Sequence, residues 1–177
     1  MTLPLKTRRL ELRELEPGDL RAVHACVSDP LVTRWFSWGP NTEDETRDFL
    51  ERVVRDATLD ARESYLLGVV LPVDGLIGVC FLDRKREREL ELGYYLRRDH
   101  WSRGLVTEAV GAVVPFAFRE HGPRRIFARV DPENAGSARV LERSGFRREA
   151  HLRRDRLIKG EWRDSLVYAL LADEGTA

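Results

Sequence analysis

The stretch from Arg97 to Ala109 has the residue types and spacing of an anion-binding turn that opens a helix. Gly104 removes a side chain where a backbone could approach an anion closely. The amides from Arg103 to Thr107 are the unpaired donors expected at a helix N-terminus, and the helix dipole favours negative charge there. Arg103 adds a mobile positive charge. The segment predicts a pyrophosphate site, although an ordinary strand-to-helix turn would also accept a single glycine.

A second stretch, from Asp131 to Phe146, has the same arrangement of a strand that leads into a helix. The apolar run Arg125–Val130 predicts the strand, and Ser137–Ser144 predicts a short helix that Gly145 ends. The two stretches therefore place two helix N-termini after two successive strands.

The elements that position these stretches follow from hydrophobic periodicity and turn residues. Alternating or continuous apolar runs predict about seven strands, and apolar residues at helical spacing predict about four helices. A capping box at Thr42 and Glu45 marks the start of the second helix. The predicted strands are Leu10–Leu15, Tyr65–Leu71, Leu76–Leu82, Leu90–Leu96, Arg125–Val130, Phe146–Leu152 and Trp162–Leu171, and the helices are Leu20–Val27, Thr42–Val54, Thr107–His121 and Ser137–Ser144.

These elements predict an α/β fold with a mixed, mostly antiparallel, twisted sheet. The strand, helix and strand from Leu90 to Val130 form a crossover, so that this pair of strands is locally parallel around the central helix. No linker or repeat divides the chain, and we expect one domain over residues 1–177 with its core at about 8–172.

Composition excludes several other classes of protein. Thirty basic residues balance thirty acidic ones, which argues against a one-sided basic surface for direct nucleic-acid binding. No run approaches the roughly 20 apolar residues of a membrane span, so we expect a cytoplasmic protein without a membrane partner. The two cysteines and four histidines have no metal-ligand spacing, so no metal is expected.

The two stretches together resemble the central motifs of the GNAT superfamily of acetyl-CoA-dependent acyltransferases. The superfamily's Q/R-x-x-G-x-G/A turn corresponds to Trp101–Val106, although tryptophan and valine replace its first and last residues. Its N-x-x-S/A helix, which ends in Gly-Phe, corresponds to Asn134–Phe146. The most similar branch is the ribosomal-protein N-terminal acetyltransferases, or RimJ/RimL-like proteins, where forms of Trp101–Ala109 and Gly160–Asp164 recur.

This resemblance extends from Leu10 to Leu171 and implies a GNAT-like fold in which the parallel pair is splayed. It implies acetyl-CoA as co-substrate, with no metal. The pantetheine arm would pair with the strand edge, where Gly93 would suit a bulge or a close approach. Asn134 would hold the amide-rich arm, unless it only forms an Asx turn. The implied cofactor-binding residues are Tyr94, Tyr95, Leu96, Trp101, Ser102, Arg103, Gly104, Leu105, Val106, Thr107, Asn134 and Ser137.

Transfer of an acetyl group to an amine needs a base for the amine proton and an acid for the departing thiolate. Many members of the superfamily have a tyrosine at the position of Leu141, so Ser137 is the candidate acid here, unless it only caps its helix. Glu91 is the first candidate base and Glu89, on the same strand face, is the second. The alternative is that Glu91 faces solvent and water carries the proton.

The acceptor is expected against an aromatic cluster of Trp35, Phe36 and Trp38, which could instead belong to the core. Trp35, Trp38 and Glu91 are the predicted substrate-binding residues. The resemblance implies a primary amine, first of all the N-terminal α-amine of a protein or peptide. A polyamine, amino acid or aminoglycoside is the alternative, as is a catalytically idle acyl-CoA-binding regulatory module. A homodimer is compatible with the sequence.

Overall fold

A computed structural model describes residues 3–59 and 62–174 of the predicted domain, and residues 1–2, 60–61 and 175–177 lie outside the described ranges. Those ranges contain eight strands, four α-helices and three short 3-10 turns. None of the described helices is long and apolar enough to cross a membrane. The elements are β1 (Leu5–Lys6), β2 (Glu11–Glu14), α1 (Leu20–Val27), α2 (Glu43–Asp56), β3 (Ser64–Leu71), β4 (Gly75–Arg86), β5 (Glu89–Leu96), α3 (Leu105–His121), β6 (Arg125–Val130), α4 (Ala135–Arg143), β7 (Arg147–Ile158) and β8 (Glu161–Leu171).

The strands form one mixed sheet in the order β1-β2-β3-β4-β5-β6-β8-β7. Among the described strands, β5 and β6 make the parallel pair, and the other neighbours are antiparallel. The predicted fold class is confirmed. The sheet has one strand more than the seven predicted, because the two residues of β1 are too few to show a periodicity.

The parallel pair separates soon after it begins. Hydrogen-bonded register joins β5 to β6 from Glu89 opposite Arg125 to Glu91 opposite Phe127. β5 then continues to Leu96 and β6 to Val130 without pairing to each other. The predicted splay is confirmed, and it leaves a gap in the middle of the sheet.

Helices cover both faces of the sheet because alternate strand residues are apolar on both sides. On one face, α3 and α4 pack their buried residues, such as Val113 and Leu141, against the sheet. On the other face, α1 and α2 pack residues such as Val23 and Leu50. Neighbouring residues of β5 therefore belong to different cores, with Tyr94 towards α3 and Tyr95 towards α1 and α2.

Local signals in the sequence locate several boundaries. The predicted capping box of α2 is present, with the Glu45 amide donating to Thr42 Oγ1 at 3.2 Å and the Thr42 amide donating to Glu45 Oε2 at 2.7 Å. The predicted turn at Lys159 and Gly160 joins β7 to β8. Other boundaries differ from the prediction: α3 and α4 each begin two residues earlier, and β7 runs on to Ile158, because a bulge interrupts its alternation.

Glycines in β4 and β5 allow close packing beside the gap. A Cβ on Gly93 would lie 2.1 Å from the Phe81 ring, so the expected close approach is present. The register is regular at Gly93, so the bulge proposed as the alternative is absent from β5 at this residue. A Cβ on Gly78 would lie 2.3 Å from the carbonyl oxygen of Tyr95, which is backbone and cannot turn away.

Gly78→Ala is therefore expected to lower the free energy of unfolding by about 1–3 kcal/mol, the usual effect of overpacking a core. Gly111→Ala is the matched control, because Gly111 lies within α3 and its added Cβ would meet no atom within 4 Å. This control should raise the free energy of unfolding by about 0.5–1 kcal/mol. Urea unfolding of both variants measures the two effects, and equal effects would contradict the packing described for β5.

Candidate active site

A cavity of about 540 Å³ occupies the gap between β5 and β6. Its lining includes Leu92 and Tyr94, which face α3, and also Gly93 and Tyr95, which face the opposite side of the sheet. The cavity therefore passes through the sheet, and two ligands could meet in it from opposite faces.

The turn before α3 presents backbone amides to this cavity. Ser102 and Gly104 have φ values of 60° and 71°, in the left-handed region, and α3 begins at the next residue, Leu105. No side chain of the described residues caps this helix, whereas Asn134 caps α4. The first amides of α3 are therefore available for an anion, as the helix dipole favours. Val106 lies within the helix, so its β-branched side chain does not strain the turn.

Side chains hold this turn against the end of β5. The Trp101 indole donates to the carbonyl oxygen of Leu96 at 2.7 Å. His100 is buried, and its ring nitrogens lie 2.8 Å from Asp99 and 3.1 Å from Asp74. Trp101 thus has a defined contact that the Gln/Arg pattern of the superfamily did not indicate.

An ion pair from the N-terminal segment also supports the turn. Arg9 Nε lies 2.6 Å from Glu108 Oε2, and Arg9 Nη1 donates to the carbonyl oxygen of Arg103 at 3.1 Å. Thr7 Oγ1 and the Arg9 amide donate to Glu108 Oε1 at 2.6 and 2.8 Å. Burial alone would raise the pKa of Glu108, but the hydrogen bonds from Thr7 and Arg9 lower it overall. Arg9 thus neutralises a carboxylate in the helix turn where an anion would bind.

Two hydroxyl groups meet across the cavity. Tyr94 Oη lies 2.8 Å from Ser137 Oγ, and burial raises the pKa of Tyr94, so its hydroxyl stays protonated. Ser137 does not cap α4: Asn134 Oδ1 accepts from the Ser137 amide at 3.1 Å, which makes Asn134 the cap. The capping role considered for Ser137 is wrong, because the helix begins two residues before it. Leu141 is fully buried and does not line the cavity, and its side chain has no acidic group.

The two candidate bases are both in ion pairs. Glu91 Oε1 accepts from Arg129 at 3.0 Å, and Lys85 lies 3.5 Å from its other oxygen. Glu89 accepts from Arg124, and this hydrogen bond lowers the pKa of Glu89. Neither carboxylate is part of the cavity lining.

Aromatic residues form the wall of the cavity on the side of α1. Trp35 and Phe36 line it, and the Trp35 ring carries the Arg34 guanidinium at 4.5 Å and that of Arg163 at 5.7 Å. Trp38 does not line the cavity, because it stacks on Phe36 with ring centroids 4.6 Å apart and supports the wall from behind.

The structure brings most of the predicted site residues to one cavity. The exceptions are Arg103, Trp38 and Glu91, which do not line it. The predicted residues that line it are Trp35, Tyr94, Tyr95, Leu96, Trp101, Ser102, Gly104, Leu105, Val106, Thr107, Asn134 and Ser137. Sequence reasoning did not single out Arg129, Arg139, Arg143 or Arg156, which also line it. Arg139 and Arg143 are one helical turn apart, a spacing that could have indicated a shared face of α4.

Comparison with known proteins identifies the family. Residues 9–147 match the acetyltransferase (GNAT) domain family. The uncharacterised N-acetyltransferase p20 of Bacillus licheniformis is 33% identical over 174 residues, which cover 96% of this chain and 97% of that protein. A crystal structure of a GNAT-family acetyltransferase from Bacillus anthracis superimposes with a TM-score of 0.85 at 30% identity, covering 96% of this chain and 99% of that chain. The chain belongs to the GNAT acetyltransferase family and is an acetyl-CoA-dependent N-acetyltransferase.

Relatives with named acceptors differ in what they acetylate. The ribosomal protein uS5-alanine N-acetyltransferase of Escherichia coli is 34% identical over 85 residues, which cover 48% of this chain and 44% of that enzyme. The spermidine N-acetyltransferase of Vibrio cholerae, solved with CoA and spermine, has a TM-score of 0.83 at 22% identity and covers 97% of this chain and 100% of that chain. The relatives thus include a member of the ribosomal-protein branch as well as a polyamine acetyltransferase, and the family alone leaves the acceptor open.

Arg9→Met is expected to weaken acetyl-CoA binding about tenfold, because it leaves the Glu108 carboxylate uncompensated beside the phosphate turn. The rate at saturating acetyl-CoA should change little. Arg8→Met is the matched control, since Arg8 is exposed. Calorimetric titration gives the affinity. A donor without phosphates, acetyl-pantetheine, should be used equally well by Arg9→Met and wild type, and an equal loss with both donors would show that Arg9 only supports the fold.

Proposed function

We propose that this enzyme transfers the acetyl group of acetyl-CoA to the N-terminal α-amine of a peptide or protein by direct attack in a ternary complex. The observation that carries the proposal is the cavity that crosses the sheet. The amides of the α3 turn lie on one side of it, and the Trp35 wall lies on the other. Acetyl-CoA supplies the activated acetyl group, and proximity is the main contribution of such a site.

The residues on the α3 side fit the chemistry of the donor. Arg139 and Arg143 line the cavity from α4, and no described carboxylate lies within the 4.0 Å ion-pair distance of either, so both are available for phosphates. Backbone groups of β5 beyond Glu91 have no β6 partner and can pair with the pantetheine arm. An amide in this stretch can also donate to the oxyanion that forms during attack.

The hydroxyl pair of Tyr94 and Ser137 is assigned to the departing sulfur. Ser137 Oγ donates a hydrogen bond to the departing sulfur, and Tyr94 Oη, 2.8 Å away, supports Ser137 and keeps its own proton. The released thiolate then takes its proton from solvent. The pair would take the place of the tyrosine that Leu141 replaces.

The charges of the cavity support an α-amine as the acceptor. Asp131 is the acidic residue among the described lining residues, and Arg163 binds it at 2.9 Å. The cavity therefore offers no free carboxylate to a strongly basic amine. An α-amine, with a pKa near 8, has a neutral fraction at pH 7 about two orders of magnitude larger than that of an alkyl amine. Glu91, in the last residue pair before the gap, is proposed to receive the proton through water.

An acceptor panel tests the proposal by measuring CoA release at pH 7. A peptide with a free N-terminus should be acetylated with a kcat/KM about 100-fold above that of spermidine, in proportion to the neutral amine fractions. The same peptide with a formylated N-terminus is the control and should not react. Faster turnover of spermidine than of every peptide would refute the α-amine assignment, and no turnover with any amine would refute the enzyme function.

Glu91→Gln should lower kcat/KM about 100-fold at pH 7 if Glu91 receives the amine proton, with acetyl-CoA affinity unchanged. Raising the pH to 9 should recover most of this loss, because solvent then supplies neutral amine. Glu87→Gln, at the exposed tip between β4 and β5, is the control. An unaltered rate from pH 6 to 9 would show that Glu91 is not the base and would leave water or Glu89 to take the proton.

A further inference from the structure

Three arginines share the face of the sheet that carries the aromatic wall. Arg129 of β6 lies opposite Val167 of β8, and Arg163 follows on the same face of β8, four residues before Val167. Arg156 of β7 lies directly opposite Arg163. Because residues in register point to the same side of a sheet, all three belong to the acceptor side of the cavity.

Two of these arginines are neutralised within the protein. Arg129 lies 3.0 Å from Glu91 and 3.5 Å from Asp155. Arg163 lies 2.9 Å from Asp131 and 2.8 Å from Glu133. Arg163 also lies 3.7 Å from Glu161. Each of the two arginines therefore has at least two carboxylate partners and is not available to a ligand without breaking an ion pair.

Arg156 has no such compensation among the described residues. It lines the cavity, its Nε is buried without a hydrogen-bond partner, and no carboxylate of residues 3–59 or 62–174 forms an ion pair with it. The β7–β8 hairpin that carries it is tied to the aromatic wall, because Lys159 Nζ donates to the carbonyl oxygen of Thr33 at 2.9 Å. This contact holds the strand that carries Arg156 beside the acceptor side of the cavity.

A guanidinium with a buried, unpaired donor nitrogen destabilises the protein unless a ligand forms a hydrogen bond with it. Phosphates of the donor are matched by Arg139 and Arg143, which lie on α4 at the other face. The partner of Arg156 must then come with the acceptor, and guanidinium matches a carboxylate in shape and charge.

We infer that Arg156 is a specificity-determining residue that binds a carboxylate of the acceptor, so that the enzyme prefers peptide N-termini with an acidic side chain in the first three residues. This inference rests on the proposed function and narrows its substrate class. It also disfavours polyamines, which bring further positive charge to a cavity that already holds an unpaired arginine.

Matched peptides that differ only in Glu, Gln or Lys at positions one to three test the inference. Wild type should acetylate the best Glu peptide with a kcat/KM about tenfold above that of the Gln peptide, the size of one charge-assisted hydrogen bond. Arg156→Gln should abolish the preference for Glu, Arg156→Glu should reverse it in favour of Lys, and Arg156→Lys should retain part of it.

Arg153→Glu is the matched control, because Arg153 is an exposed residue of the same strand that does not line the cavity. It should keep the wild-type preference. Thermal unfolding of each variant checks the fold. The affinities of the same peptides for the enzyme–CoA complex compare Glu, Gln and Lys peptides without requiring turnover. If no peptide were acetylated but the CoA complex still bound Glu peptides more tightly than Gln peptides, the proposed function would be refuted and the role of Arg156 would stand. A wild type that does not distinguish Glu from Gln, or a preference that survives Arg156→Glu, would overturn the role of Arg156.

Discussion

The end of hydrogen bonding between β5 and β6 is the constraint on which the site depends. Past Glu91 and Phe127 the two strands have no common register, so facing backbone groups lose their partners inside the sheet. A buried backbone N–H or C=O group without a hydrogen-bond partner lowers the stability of the fold, so these groups favour a ligand that can pair with them. The same strand that loses its partner leads directly into the turn before α3. One feature of the topology therefore produces both a strand edge that can bind an amide-rich ligand and a helix end that can bind its phosphates.

Contacts between segments far apart in the sequence keep this gap in shape. Arg9 reaches Glu108 and thereby joins the N-terminal segment to the first turn of α3. Arg163 reaches Asp131 and also lies over the Trp35 ring, so it joins the loop before α4 to the aromatic wall. The donor side and the acceptor side are each fixed by an arginine with carboxylate partners.

The sequence predicted those parts of the fold and site that are determined by interactions between residues near one another in the chain. The capping box at Thr42 and the glycine turn at Gly104 each depend on residues within a few positions of one another, and the crossover around α3 depends on the order of neighbouring elements. The contacts that the sequence did not predict join residues that are far apart in the sequence and close together only in the folded chain. Glu108 finds Arg9 from 99 residues away, and Arg156 is aligned with Arg163 by a bulged hairpin whose alternation is broken. The ion pair between Glu91 and Arg129 likewise could not be seen before the register of β6 was known.

Amide hydrogen exchange with and without acetyl-CoA tests the central claim most directly, because it reports on the backbone itself. We expect acetyl-CoA to slow exchange in two segments together, residues 92–96 of β5 and residues 104–108 at the start of α3. The opposite end of the sheet, around Arg88 and Arg124, should not change. Protection confined to α3, or protection at Arg88 and Arg124 instead, would contradict the claim that the gap between β5 and β6 binds the donor.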